Sequence, residues 1–508
     1  MNHLLVMPVV LPMMVGALQL LLARAAPAAQ RTVAVVTLLA LLGLAVHLLV
    51  LANSDLIRVY AVGDWRAPLG IVLVLDRLSA YMLLLAALVG FGSLVHAVRG
   101  WDLGGRHFHA LFMFQLAGIN GAFLTGDLFN LFVFFEILLI ASYCLMLHGG
   151  GEGRLRAGTV YVAMNLVGSA LFLITVGLLY GITGTLNLAD LGRVVGGLDP
   201  GGIGLARIGG VLLLVVFSLK AAVVPLHFWL PGGYAASAAP VAALFAIMTK
   251  IGAYCILRIF TVVFGPDAGE LAWLAQDWLL PAALVTLWAG MLGVMASRAL
   301  RELVSYLLIA SVGTLLLAFS LFSEGAITAG LYYLAHSTLV TAGLFLLLES
   351  VAAQRGTLGT RLISGPRLRQ PQLLGLGFLI GAAALVGLPP LAGFVGKMML
   401  LQSATDSVAQ SWVFATVLGS ALLGLIGSSR AGTIVFWSGD DEPPADRRPA
   451  RSGALLPAFA LIGSSAALTL GAGPVVEYTR ATAAQLLQPA GYIEAVLQFG
   501  VVAAEPEP

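Results

Sequence analysis

Residues 238–261 read AAPVAALFAIMTKIGAYCILRIFT, a run in which apolar side chains predominate. A segment of about 20 predominantly apolar residues can cross the hydrocarbon core of a bilayer as an α-helix. The run also carries a lysine, Lys250, about twelve residues from either end. It therefore predicts a membrane-spanning helix with an ionisable group near its centre.

The composition of the 508-residue chain indicates an integral membrane protein. The chain is 60% hydrophobic and 10% charged, whereas a soluble domain is about 45–50% apolar and about 25% charged. A formal net charge of +2, with no basic block interleaved with aromatic residues, excludes nucleic acid as a partner. Cys144 and Cys255 lie in apolar runs, so we expect two small buried side chains rather than a disulfide or a metal site.

The requirement of about 20 apolar residues per span predicts about fourteen spans in the whole chain. The apolar runs are continuous and do not alternate with polar residues as the strands of a membrane β-barrel do, so we predict an all-α fold. The spans lie near 3–23, 31–52, 74–98, 108–125, 128–148, 157–183, 206–230, 238–261, 271–297, 302–322, 325–351, 372–402, 410–436 and 452–474. Placing the loops after odd-numbered spans in the cytoplasm puts 16 of the 23 arginines there, as the positive-inside rule requires. Both termini are then predicted to be outside, in a bacterial cell membrane.

Short internal matches predict a repeat. The segment LLIAS at 138–142 recurs at 307–311, ALFL at 170–173 resembles GLFL at 343–346, and prolines interrupt span 7 and span 12. Spans 4–8 and 9–13 then form two five-helix units, which must be inverted relative to each other because five is odd. The predicted segments are 1–98 (three helices), 108–261 and 271–436 (the repeats), 437–453 (a cytoplasmic linker) and 454–508 (the final span and tail).

The three lysines of the chain, Lys220, Lys250 and Lys397, all lie in predicted spans, whereas the loops use arginine. A charge at a span centre costs roughly 2.5–3.5 kcal/mol on insertion scales, so these lysines must be paired, hydrated or neutral part of the time. A buried lysine can gain and lose a proton, whereas arginine stays charged. The pattern predicts a proton path; the alternative is snorkelling to the interface, which is strongest for Lys397 near the end of span 12.

Other ionisable residues could complete the path. Glu136 lies deep in span 5 and is the candidate partner of a lysine, although a purely structural pair is the alternative. His227 follows Pro225, where a helix interruption admits water, and His336 lies in span 11 between the two units. For each histidine alone, packing is the competing interpretation. Asp76 and Asp127 stand at span starts, where a helix-start role competes with transport.

Five stretches resemble the antiporter-like subunits shared by Mrp-type cation/proton antiporters and respiratory complex I. They are LDRLS at 75–79, GDLFNLFVFFE at 126–136, KAAVVPLHFWLPGGY at 220–234, MTKIGAY at 248–254 and GLPPLAGFVGK at 387–397. Within that superfamily, DLFN before the glutamate and WLPGGY, where complex I subunits usually show WLPDAH, are similar to the D-type subunit of Mrp antiporters. The chain is therefore identified as a relative of that subunit.

The resemblance implies a proton-translocating subunit of a hetero-oligomeric antiporter that exchanges Na+, or alternatively K+ or Li+, for protons, with no organic cofactor. Glu136 would pair with Lys220 on broken span 7, Lys250 would be the central carrier, and Lys397 on broken span 12 the far gate. Many relatives carry a lysine in span 11 where this chain has Thr341. The relay between the two halves would then use His336, water and hydroxyl groups, or it would lie elsewhere in the complex.

Two other functions are compatible with the sequence. One is a proton-pumping membrane subunit of a redox-driven, complex I-like or hydrogenase complex. The other is a scaffold subunit that carries no ions. The sequence has no Walker loop, no dinucleotide fingerprint in a strand-turn-helix context and no nucleophile elbow, so we expect a transporter subunit rather than an enzyme.

Overall fold

The computed structural model describes residues 3–24, 26–54, 56–405, 407–439, 450 and 452–499. The predicted linker 437–453 falls largely outside the described residues, and so do residues 500–508 of the predicted tail. The helices are α1 Met7–Leu21, α2 Pro27–Ala52, α3 Arg77–Ala97, α4 Phe108–Leu124, α5 Leu128–Met146, α6 Glu152–Thr183, α7 Leu188–Val195, α8 Pro200–Lys220, α9 Trp229–Ala236, α10 Ala239–Val262, α11 Gln276–Ala296, α12 Leu300–Ser320, α13 Glu324–Arg355, α14 Pro371–Val386, α15 Ala392–Ser403, α16 Gln410–Gly432, α17 Ser452–Leu470, α18 Ala472–Leu487 and α19 Ala490–Leu497.

The predicted all-helical membrane fold is confirmed. Among the described residues, eleven helical segments are long and apolar enough to cross a bilayer. Three further apolar helices, α1, α4 and α14, are shorter, at 15, 17 and 16 residues. The count of fourteen spans and the inverted repeat stay predictions.

The centre of the bundle is formed by α10, α12 and α13. In the most apolar 18-residue stretch of each helix, the buried share of the residues is 100% for α10, 94% for α12 and 100% for α13. Helix α13 packs against α12, α10, α14, α15, α17 and α18. Lys250, in the middle of α10, therefore has no access to lipid, and its contacts must come from inside the protein.

Two helices are interrupted where the sequence predicts a break. Helix α8 ends at Lys220 and the chain becomes helical again at Trp229, in α9; likewise α14 ends at Val386 and α15 begins at Ala392. Pro225 lies in the first gap and Pro389 with Pro390 in the second. Proline lacks the N–H that a continuing helix needs, so it explains both breaks.

Several features were not predicted. Strands β1 Arg58–Ala61 and β2 Val72–Leu75 form an antiparallel hairpin between α2 and α3. The expected C-terminal tail folds into α18 and α19, which pack on the bundle. The expectation for the cysteines is wrong for Cys144, which is exposed, whereas Cys255 is buried. Periodicity in a run as apolar as span 5 does not indicate which helix face turns outward.

Candidate functional site

Lys250 lies at the centre of the bundle. Its side chain is 0% exposed, and its Nζ donates a hydrogen bond to Ser311 Oγ of α12 at 2.6 Å. Ser311 Oγ in turn donates to the carbonyl of Leu308 at 2.7 Å. The ammonium group is therefore held by an uncharged hydroxyl that joins α10 to α12.

Lys397 is held by the end of the interrupted helix α14. It is 4% exposed, and its Nζ donates to the carbonyl oxygen of Val386, the last residue of α14, at 2.6 Å. Carbonyls in the last turn of a helix have no intrahelical donor and carry partial negative charge, so they stabilise a cation. Snorkelling, the alternative for this lysine, is wrong because the side chain points to the helix break inside the protein.

The carbonyls before Val386 bind two side chains of α13. His336 Nε2 lies 3.0 Å from the Ala384 carbonyl oxygen, and Tyr333 OH donates to the Leu385 carbonyl at 3.5 Å. Three consecutive carbonyls at the end of α14 thus contact His336, Tyr333 and, through Val386, Lys397. The break in α14 exposes the acceptors that gather these side chains.

Gly393 on α15 allows this close packing. A Cβ at residue 393 would lie 1.8 Å from the Ala384 carbonyl oxygen and 2.8 Å from His336 Nε2. Any side chain would separate α15 from the end of α14. Lys397, four residues further along α15, reaches Val386 because glycine occupies this crossing point.

Lys220 is the last residue of α8 and is 5% exposed. Its Nζ donates to the backbone carbonyl of Asn165 at 3.4 Å and to Asn165 Oδ1 at 3.3 Å, and lies 5.6 Å from the centroid of the Phe135 ring. Glu136, adjacent to Phe135, does not form an ion pair with Lys220 within 4.0 Å. The expected partner is therefore nearby, but in this conformation the amide of α6 holds the lysine.

The other candidates each have a polar atom without a hydrogen-bond partner. These buried atoms are Glu136 Oε1, His227 Nδ1, His336 Nδ1 and Thr341 Oγ1. His227 is half-buried in the gap after α8, and Thr341 is fully buried on α13. Within the described ranges, no group of three or more His, Cys, Asp or Glu could hold a metal ion.

The two carboxylates at span starts have helix-start roles. Asp76 caps α3 by accepting a hydrogen bond from the Ser79 N–H at 2.8 Å, and Asp127 caps α5 by accepting from the Asn130 N–H at 2.7 Å. Burial of Asp127 raises the pKa of its carboxyl. These contacts make Asp76 and Asp127 the N-caps of their spans.

Sequence reasoning missed the side chains that hold two of the lysines, Asn165 and Ser311, and it missed Tyr333 at the end of α14. A single amide in the apolar span 6 was a signal for Asn165, because polar groups inside spans pair with other polar groups. Ser311 was noticed only as part of the repeated LLIAS segment. Which hydroxyl or amide faces which lysine depends on helix packing, and one sequence does not specify that.

Comparisons with known proteins agree on one family. Residues 125–424 match the family model described as "NADH:quinone oxidoreductase/Mrp antiporter, TM". The chain is 39% identical to the D subunit of a probable K+/H+ antiporter of Rhizobium meliloti, with 98% of both chains covered. It is 36% identical to the D subunit of a Na+/H+ antiporter of Alkalihalophilus pseudofirmus, with 98% of this chain and 100% of the relative covered.

Comparisons with solved structures indicate the same family. A chain of the Mrp complex from a Dietzia species matches with a TM-score of 0.88 at 29% identity, covering 98% of this chain and all of the other. A chain of respiratory complex I from Thermus thermophilus matches with a TM-score of 0.74 at 26% identity, covering 95% and 99%. The similarity extends over nearly the whole length in both cases.

Proposed function

Because the chain belongs to the NADH:quinone oxidoreductase/Mrp antiporter family of membrane proteins, we propose that it is a proton-translocating subunit of a multisubunit monovalent cation/proton antiporter. It works with the other subunits of that complex in a bacterial cell membrane. The exchanged cation is Na+ or K+, the two ions in the names of its relatives. The chain has fourteen spans, two inverted five-helix repeats and both termini outside.

The burial of Lys250 without a counter-ion carries this proposal. Within the described part of the chain, none of the three lysines has a carboxylate oxygen within 4.0 Å of its ammonium nitrogen. A buried charge that lacks a partner is strongly unfavourable. A lysine avoids that cost by releasing its proton, so a chain of such lysines can pass protons along.

The unpaired polar atoms support a hydrated route between the lysines. A buried donor or acceptor without a partner costs about 1–3 kcal/mol, and buried water commonly satisfies such groups. The imidazole of His336 lies between Lys250 and Lys397 along the proposed route, and the hydroxyl of Thr341 stands where relatives have a lysine. Protons would cross from one half to the other through His336, Thr341 and water.

Glu136 and Lys220 act as the switch in this mechanism. Closing the pair favours the charged lysine, and opening it, as in this conformation, favours release of the proton towards Lys250. The carboxylate is available for this step because its Oε1 has no hydrogen-bond partner. Lys397, bound to the end of α14, is the last lysine of the relay.

The test is proton flux driven by a Na+ or K+ gradient in vesicles that contain the whole complex. We expect Lys250→Met to reduce exchange by about a hundredfold or more, because loss of a proton-transfer group costs about 10²–10⁴ in rate. Lys250→Arg is the matched control: it keeps the charge but cannot release the proton, so it should be equally inactive. Undiminished exchange by an assembled Lys250→Met complex would instead indicate a scaffold.

The similarity to a complex I chain favours one alternative, a subunit of a redox-driven proton pump. That function requires NADH or quinone turnover. Proton movement that stops when these substrates are removed and does not respond to a Na+ or K+ gradient would indicate the redox-driven pump.

A further inference from the structure

A second buried charged group lies at the end of α10, next to the C-terminal helices. Arg258 NH1 donates to Asp76 Oδ2 at 2.5 Å and NH2 donates to Asp76 Oδ1 at 2.8 Å. The guanidinium carbon lies 5.5 Å from the ring centroid of Tyr254 and 5.4 Å from that of Tyr492. All four side chains are at most 5% exposed. The ion pair is therefore enclosed by one tyrosine of α10 and one of α19.

This group lies in line with Lys250 along α10. Lys250, Tyr254 and Arg258 are spaced by four residues, so they share one face of the helix. Arg258 Nε donates to Tyr254 OH at 3.3 Å, and Tyr254 OH donates to the carbonyl of Phe123 at 2.7 Å. With a rise of 1.5 Å per residue, Arg258 stands about 12 Å along the axis from Lys250.

A cavity of about 850 Å³ lies next to Tyr492, the tyrosine of α19 that covers Arg258. Its wall includes Tyr492, together with the polar side chains of Gln485, Glu494 and Gln498. Tyr492 thus forms the wall of the cavity and also stacks on Arg258. The order from the bundle centre is Lys250, Tyr254, the Arg258–Asp76 pair, Tyr492 and the cavity.

We propose that Arg258, held by Asp76 between Tyr254 and Tyr492, is a plug that separates Lys250 from this cavity and keeps monovalent cations out. Arginine stays charged in proteins, so its pair with Asp76 is not released by loss of a proton, and the guanidinium packed between the two tyrosine rings blocks the passage of Na+ and K+. The functional consequence rests on the proposed role of Lys250, whereas the plug itself follows from the contacts around Arg258. Opening of the plug would connect the central lysine to the cavity.

The native cysteines provide a direct test of access. Cys255 is 1% exposed and lies three residues before Arg258, so the two side chains are neighbours on α10. The sequence contains two cysteines, so Cys144→Ser leaves Cys255 as the only thiol of this chain. In the detergent-solubilised whole complex, a water-soluble maleimide should label Cys255 slowly, as measured by mass spectrometry of this chain.

Tyr492→Ala should raise the labelling rate by about tenfold or more, because the ring that covers Arg258 is lost. Val496→Ala is the matched control, since Val496 is 0% exposed one turn further along α19 but has no ring to cover Arg258 and is not among the residues that line the cavity. We expect the control to label at the wild-type rate. Equal rates for the two variants, or no increase with Tyr492→Ala, would overturn the plug.

A second measurement tests cation exclusion. The double variant Asp76→Asn with Arg258→Gln removes both charges, while asparagine still caps α3. In vesicles without a pH gradient, passive 22Na+ leak through the assembled complex should rise by about tenfold, because the ion pair that blocks the space between the two tyrosine rings is gone. A leak equal to wild type would overturn this part of the proposal. Cys255 labelling does not require a working relay, so failure of the proposed function leaves that result interpretable.

Discussion

Two buried cations on helix α10, Lys250 and Arg258, have different kinds of partner. Arg258 pairs with the carboxylate of Asp76 through two hydrogen bonds, at 2.5 and 2.8 Å. Lys250 and Lys397 are instead held by a hydroxyl and a carbonyl. Arg258 keeps its charge beside a counter-charge, whereas a lysine without one can become neutral. The contrast supports a proton-carrying role for the lysines.

The hydroxyl of Ser311 should therefore be important for proton exchange, because it holds the Lys250 ammonium. Ser311→Ala removes the hydrogen bond that holds the Lys250 ammonium, and a hydrogen bond to a charged group contributes about 1.5–3 kcal/mol. We expect cation-driven proton exchange to slow by about tenfold or more. The measurement is initial proton flux in vesicles, normalised to assembled complex.

Ser142 is the matched control, because it occupies the same position in the other LLIAS segment. Its hydroxyl lies 2.8 Å from Tyr161 OH and contacts no lysine. Ser142→Ala should leave exchange within about twofold of wild type, since a neutral hydrogen bond contributes about 0.5–1.5 kcal/mol to stability. Equal losses for the two variants would show that Ser311 has no special relation to Lys250.

The sequence identifies the ionisable residues but not their neighbours. Lys220, Lys250 and Lys397 stand out because charge is expensive in an apolar span, and all three are indeed buried. Ser311 does not stand out, because uncharged polar residues are common in membrane helices, and the single amide of span 6, Asn165, does not indicate which lysine it faces. Their importance comes from the lysine that faces them, which helix packing decides.

The interruption of α14 is the element that organises the second half of the site. A helix end presents carbonyls without intrahelical donors, and here these carbonyls contact Tyr333, His336 and Lys397. A continuous helix would use the same carbonyls internally. The break therefore supplies both the acceptors and the partial negative charge that a cationic side chain needs.

Gly393→Ala should disrupt this element. The added Cβ would fall 1.8 Å from the Ala384 carbonyl oxygen, so α15 or α14 must shift. Overpacking of this kind typically costs about 1–3 kcal/mol, and we expect a lower thermal unfolding temperature together with a loss of exchange of about tenfold or more. Thermal unfolding of the purified complex, followed by flux in vesicles, measures both.

Gly177→Ala on α6 is the control for that change. A Cβ at residue 177 has no atom within 4 Å, and alanine favours the helix over glycine by about 0.5–1 kcal/mol. Unchanged or slightly higher stability with normal exchange is expected for this variant. If Gly393→Ala behaved in the same way, close contact between α15 and α14 would not be required.

Long helices and their breaks were predictable, and short elements were not. Apolar runs and prolines define α8, α10 and α14 because length and proline chemistry act locally. The β1–β2 hairpin has only four residues per strand, too few for a periodic signal. Helices α18 and α19 follow the last span in a stretch of mixed composition, and their packing on α3 and α7 is a tertiary effect.

At the scale of the whole molecule, the central helices are enclosed by protein, whereas the outer helices are largely exposed. Helices α10, α12 and α13 are enclosed, whereas α6, α11, α16 and α17 bury only 33–39% of their most apolar windows. The outer helices therefore face lipid or the other subunits of the complex. The ionisable groups of the proposed relay lie inside, where their protonation can respond to a few neighbours.

The central claim is that protons cross this subunit through a buried Glu/Lys relay coupled to cation movement. Its most direct test is cation-dependent proton flux in vesicles that contain the whole complex, wild type against Glu136→Ala. Loss of a proton-transfer partner predicts that Na+- or K+-driven flux falls by about a hundredfold in a fully assembled complex. Flux equal to wild type in the assembled Glu136→Ala complex would contradict the relay.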